Sequence, residues 1–122
     1  MKEQIKDKWV KALMSGDYKQ GRGKLKSCDG SFCCLGVLSD LYAKENGVKW
    51  KKYDDCFSIV ESFDLLPKEV IKWSGMSSES GEIQNELYNN ELYDFELAEV
   101  NDSGKHTFDQ IADIIEEHWK EL

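Results

Sequence analysis

Leu25-Lys26-Ser27-Cys28-Asp29-Gly30-Ser31-Phe32-Cys33-Cys34-Leu35-Gly36-Val37-Leu38 carries the chain from extended backbone into a helix. Asp-Gly between two short strand-like runs, 25–28 and 31–34, is a strong local hairpin signal. From about Cys34 the spacing becomes helical, with Cys34, Leu38, Leu41 and Tyr42 on one side, and Asn46-Gly47 ends that helix. Gly36 falls inside it, where glycine costs about 1 kcal/mol relative to alanine. A close approach of this helix to the hairpin that feeds it would account for the missing side chain.

Reading outward, residues 2–15 predict an amphipathic helix with Ile5, Trp9, Ala12 and Leu13 on one stripe and Lys2, Lys6, Lys8 and Lys11 on its other faces. Gly16 stops it. Val48–Trp50 and Phe57–Val60 are strand candidates around a charged loop. Pro67 suits the first position of a third helix, with Leu66, Val70 and Trp73 on one face and Ser74-Gly75 at its end. Residues 76–82 read as an exposed linker. Residues 83–97 read as an acidic hairpin turning at Asn89-Asn90. Asn101-Asp102-Ser103-Gly104 is a turn, and Thr107 with Gln110 forms a capping box. Phe108, Ile111, Ala112, Ile115, Trp119 and Leu122 give the last helix its apolar stripe. The expectation is one α+β domain over 1–122, a short, mainly antiparallel sheet packed by about four helices.

Charge is laid out unevenly. Residues 1–52 contain 12 Lys/Arg and 6 Asp/Glu, whereas residues 53–122 contain 4 and 18. The basic half includes Tyr18-Lys19-Gln20-Gly21-Arg22-Gly23-Lys24-Leu25-Lys26-Ser27, in which Lys19, Arg22, Gly23, Lys24 and Lys26 suit a loop that binds an anion. Its glycine spacing is neither that of a P-loop nor that of a dinucleotide fingerprint. A solvated basic turn is the competing reading. On the acidic side, Glu86, Glu91, Asp94 and Glu96, flanked by Glu79, Glu82 and Glu99, could dock on a basic groove of a partner protein. A net charge of −8 opposes direct nucleic-acid binding by the whole protein.

Other chemistries find little support. Cys28, Cys33, Cys34 and Cys56 lack zinc-like spacing and read as small core thiols. An apolar setting raises a thiol pKa, which argues against a Cys33 or Cys34 nucleophile. Asp102, Ser103 and His106 are too close along one turn for triad geometry, and His118 reads as solvated. No catalytic residue, cofactor or metal site is expected. No apolar run is long enough to span a bilayer. Met1–Asp7 lacks a secretory apolar stretch, so a cytosolic protein is expected.

Four ordered motifs carry a family resemblance. They are Lys8–Leu13 with Ser15–Gly21, Phe32–Leu38, Leu66–Val70 with Trp73–Gly75, and Asn101–Gly104 with Thr107-Phe108 and Ile111-Ala112. In this order the chain resembles small uncharacterised proteins encoded by tailed bacteriophages and prophages. His106 breaks the usual Gly-Lys-Thr run of the last motif, and residues 76–97 lie outside all four. The resemblance implies an accessory protein acting in the host bacterial cytoplasm and, by extension, a counter-defence role. It implies no reaction. The leading expectation is non-enzymatic binding of a host factor. The alternative is a module that sequesters a phosphorylated or nucleotide ligand through loop 18–27, with Trp9 or Trp50 gripping it. Homo-oligomers are left open.

Overall fold

The computed structural model describes the backbone of residues 1–88 and 91–122 and the side chains of residues 1–83 and 94–122. Its elements in order are α1 (Glu3–Met14), β1 (Lys26–Ser27), α2 (Cys34–Asn46), β2 (Lys51–Lys52), β3 (Cys56–Ser58), α3 (Lys68–Ser74), β4 (Glu82–Tyr88), β5 (Glu91–Glu96), α4 (Leu97–Asp102) and α5 (Phe108–His118). The fold is α+β. One antiparallel sheet has the order β1-β3-β2, and β4 with β5 forms a separate antiparallel pair. No helix among the described residues is long and apolar enough to cross a membrane.

The helices follow local signals. Ile5, Trp9 and Leu13 are buried along α1, and Phe108, Ile111, Ala112 and Ile115 along α5, where these two helices pack on each other. The Thr107–Gln110 capping box is present with both hydrogen bonds. Trp9 is fully buried and donates its indole N–H to the Cys34 carbonyl at 2.9 Å, so it is a core residue rather than a ligand grip. Lys6, expected on a polar face, is buried; its ammonium reaches Asp7 at 2.7 Å and Glu116 of α5 at 2.9 Å. Pro67 is the N-cap of α3 rather than its first residue. His118 is not freely solvated: it packs against Phe95 and lies 3.0 Å from the Glu121 carboxylate.

The strands depend on distant partners. Asp29-Gly30 does turn the chain, with Ser27 and Ser31 hydrogen-bonded across it at 2.8 Å. The expected hairpin then shrinks to a single bridge, Lys26 to Phe32, because β1 pairs with β3 in the register Lys26–Phe57 and Ser27–Cys56. Val48–Trp50 is not a strand. The Val48 N–H still caps α2 at the Ala43 carbonyl, and the Trp50 indole is tied to Asp40 at 3.0 Å, which moves β2 on to Lys51–Lys52. β3 ends early because Val60 and Glu61 take φ of 47° and 65°, reversing the chain so that Ile59 and Ser62 exchange hydrogen bonds.

Residues 76–82 are not an exposed linker. Met76 and Ser80 are buried, and the Glu79 carbonyl accepts from the Leu66 N–H at 3.0 Å. The expected acidic hairpin is present as β4 and β5, though its Asn89-Asn90 turn lies outside the described residues. A fifth helix, α4, was not expected: Asn101 and Asp102 form its last turn instead of a free loop.

Gly36 lies against Leu25, a fully buried residue. A Cβ at Gly36 would overlap the Leu25 backbone carbonyl, which cannot swing aside as a flexible side chain would. The close approach expected from sequence is therefore present. Gly36→Ala should lower folding stability by about 2 kcal/mol or more despite alanine's better helix propensity. Urea denaturation of this variant measures it; a variant as stable as the parent would show that α2 can retreat from Leu25 at no cost.

Candidate functional site

The five residues of the basic segment do not converge. Lys19 is exposed and pairs with Asp29 at 3.4 Å. The Gly23 N–H, a candidate donor to an anion, instead meets the Asp102 carboxylate at 3.0 Å. Lys24 pairs with Asp64 at 3.0 Å. Lys26 turns the other way, its ammonium 4.4 Å from the Phe57 ring centroid, 5.3 Å from Phe32 and 5.6 Å from Trp50. Arg22 is exposed, and its guanidinium lies where a Cβ of Gly104 would be. It lines a small cleft of about 220 Å³ with Lys105, His106 and Thr107. Among the acidic residues, Glu79, Asp94 and Glu99 are exposed, and Glu96 stands opposite Glu82 in the β4–β5 register. Glu86 and Glu91 lie on the same two strands, and their side chains are outside the described residues.

A larger concavity, of about 640 Å³, opens between α1, α2 and the segment after α1. Lys8, Lys11, Lys26 and Lys44 stand around it, with Tyr18 and Phe32 supplying aromatic surface. The volume falls in the range typical of small-molecule sites. Of these residues, loop 18–27 contributes only Tyr18 and Lys26. Lys8 and Lys11 come from the outer face of α1, and Lys44 from α2. The Lys8-Lys11 and Asp40-Lys44 spacings were visible as helix neighbours, but nothing local indicated that the two helices would face one cavity.

Asp40 organises the wall. Its carboxylate accepts from the Tyr18 hydroxyl at 2.6 Å and from the Trp50 indole N–H at 3.0 Å, and the Lys44 ammonium stands 3.0 Å away. Tyr18 also meets the edge of Phe32, with ring centroids 5.1 Å apart. Burial pushes the Asp40 carboxyl up, but the hydrogen bonds from Tyr18, Lys44 and Trp50 more than offset it and hold the group below its ordinary 3.8. Burial, then the bond to Asp40, raises Tyr18, keeping the phenol a donor.

The four cysteines are free thiols: Cys33, Cys34 and Cys56 are buried, whereas Cys28, also expected in the core, is exposed where it precedes the Asp29-Gly30 turn. Burial pushes Cys33 to about 11 and Cys34 well above the usual thiol value, so neither is a thiolate near neutral pH. Among the described residues, no group of three or more His, Cys, Asp or Glu is placed to hold a metal ion.

Two measurements follow from this chemistry. A thiol-specific reagent should modify Cys28 rapidly in the native protein and the other three only after unfolding; rapid reaction at a second thiol would contradict the burial. For Asp40 the folded-state pKa is depressed. Its stabilisation is therefore complete above the unfolded-state value and is lost as pH falls through the folded one. Urea denaturation of the parent and Asp40→Asn should show the parent's advantage at about pH 6 shrinking by about pH 3, whereas an advantage equal at both would rule out the ionised network.

No curated protein and no solved structure matches this chain. Residues 1–119 match a family described as a domain of unknown function (DUF8296), and the chain belongs to that family.

Proposed function

We propose that this chain is a phage or prophage accessory protein that works in the bacterial cytoplasm by non-enzymatic binding, and that the host factor it takes up is a phosphorylated small molecule of the nucleotide class. The groove between α1 and α2 carries this reading. Four ammonium groups surround aromatic surface, opposed there only by Asp17 and Asp40. Asp40 is already engaged by Tyr18, Trp50 and Lys44. Lys8 meets only an exposed Glu45 at 3.5 Å, a weak surface pair that a ligand phosphate can displace. Lys11 and Lys26 have no carboxylate partner among the described residues. An aromatic surface with surplus ammonium groups suits a planar base bearing phosphate. The phage setting rests on the resemblance carried by the four motifs.

Calorimetric titration with AMP, ADP and ATP tests the proposal. Lys8 and Lys11 are both exposed on α1, so Lys8→Ala/Lys11→Ala should melt like the parent. It should also weaken nucleotide binding by about tenfold or more and flatten its salt dependence. Failure of all three nucleotides to bind the parent, or an unchanged double variant, would overturn the reading.

A further inference from the structure

We propose that the lysine-rimmed groove is one end of a longer furrow, and that its ligand is an anion charged at both ends, of the dinucleotide class, whose far end is held by Arg22 and Lys105. This rests on the nucleotide reading and extends it to the size and charge distribution of the ligand.

Three depressions follow one another along the segment from Ser15 to Arg22. The groove shares Ser15 and Tyr18 with a neighbouring depression of about 320 Å³. That depression in turn shares Gln20 and Thr107 with the Arg22 cleft of about 220 Å³. The same backbone segment therefore borders all three, and a ligand lying along it would pass Tyr18 and Gln20 in turn.

The charges are distributed to suit a two-ended anion. Lys8, Lys11, Lys26 and Lys44 stand at one end, and Arg22 and Lys105 at the other. The middle depression contains no cation. Leu13, Met14, Gly16 and Gln20 line it, with Asp109 as its charged residue. Met14 is 55% exposed there, an apolar surface able to lie against a base or sugar. Asp109, together with Asp17 of the groove, disfavours a chain of phosphates running the full length. The multiply charged anionic groups belong at the two ends, with the bases, the sugars and no more than a single phosphodiester between them.

The far end has unused recognition capacity. Arg22 has no ion-pair partner among the described residues, and neither does Lys105. Gly104 leaves the space in which the Arg22 guanidinium lies, and Arg22 and Lys105 line the same cleft. The neighbouring His106 has a buried Nδ1 without a hydrogen-bond partner among the described residues. A planar guanidinium with no ion-pair partner among the described residues suits a terminal phosphate. Occupying both ends of one site makes the second contact intramolecular, so affinity rises beyond that of either end alone.

The test compares two probes on the intact chain: AMP, and a diadenylate carrying a phosphate on both its 5′ and 3′ ends. The parent should bind the diadenylate at least about tenfold more tightly than AMP. In Arg22→Ala/Lys105→Ala that ratio should fall to near one. Arg22→Gln, which keeps the stem of the side chain, is a second variant and should lower the ratio as well; thermal melts verify that both stay folded. Equal affinity for the two probes, or a ratio that survives the double variant, overturns the two-ended site while nucleotide binding stands. An eight-residue oligoadenylate binding far more tightly than the diadenylate would also overturn it, in favour of a single-stranded nucleic acid. Absence of binding by every probe overturns this proposal together with the nucleotide reading.

Discussion

The buried amide of Asn101 holds together the parts of the molecule that form its candidate site. Its oxygen accepts from the Gln20 side chain at 3.0 Å and from the Cys34 backbone N–H at 3.2 Å, while its nitrogen donates to the Gly21 carbonyl at 2.9 Å and to Asp102 at 3.1 Å. Both donors and both acceptor positions are thus used, which is what a fully buried amide requires. Through these bonds α4 grips the Gln20-Gly21 segment and the start of α2. Gln20 extends the grip to the His106 carbonyl at 3.0 Å, just before α5. The segment from Tyr18 to Arg22 is held by this polar centre together with its backbone bonds to Phe32, the Gly21 N–H to the Phe32 carbonyl at 2.6 Å and the Phe32 N–H to the Lys19 carbonyl at 2.8 Å.

Packing and electrostatics are divided between opposite sides of α1. Its apolar stripe, centred on Trp9, builds the core against α2 and α5, and its Lys8-Lys11 side faces the groove. The basic excess of residues 1–52 does not become a uniform patch. Lys6, Lys19 and Lys24 are matched with nearby carboxylates, whereas Lys11 and Lys26 have no carboxylate partner among the described residues. Which lysines stay available is therefore a property of folded geometry. Lys24 and Asp64 are forty residues apart in the chain, and no window of sequence pairs them.

Local rules were enough for the helices. The Thr107–Gln110 box, the stripe from Phe108 to Ile115, and the glycines ending α2 and α3 act within one or two turns, so their reading carried into the structure with shifts of about one residue. Gly36 was legible for the same reason, since a glycine in a helix interior needs a close neighbour. The strands were less legible. β1 takes its partner about thirty residues away, and the reversal at Val60-Glu61 uses left-handed backbone without the Gly or Asn that would have marked it. The hydrogen bonds of Glu79, Ser80 and Gly81 likewise bury a segment whose composition is that of a linker.

The sequence alone determined the α+β class, four of the helices, the Asp29-Gly30 turn, and the separation of a basic from an acidic half; its reading of the cysteines as core thiols fits Cys33, Cys34 and Cys56 but not the exposed Cys28. Each rests on periodicity, capping or composition within a short window. Tertiary structure alone decided that Trp9 is core while Trp50 supports the groove wall through Asp40, and that Gly23 donates inward to Asp102. It also separated the residues of the basic loop and brought Lys8 and Lys11 of α1, Lys44 of α2, and Tyr18 to one concavity. The reason is physical: a binding surface depends on which charges remain uncompensated after folding. That is settled by contacts between residues far apart in the chain.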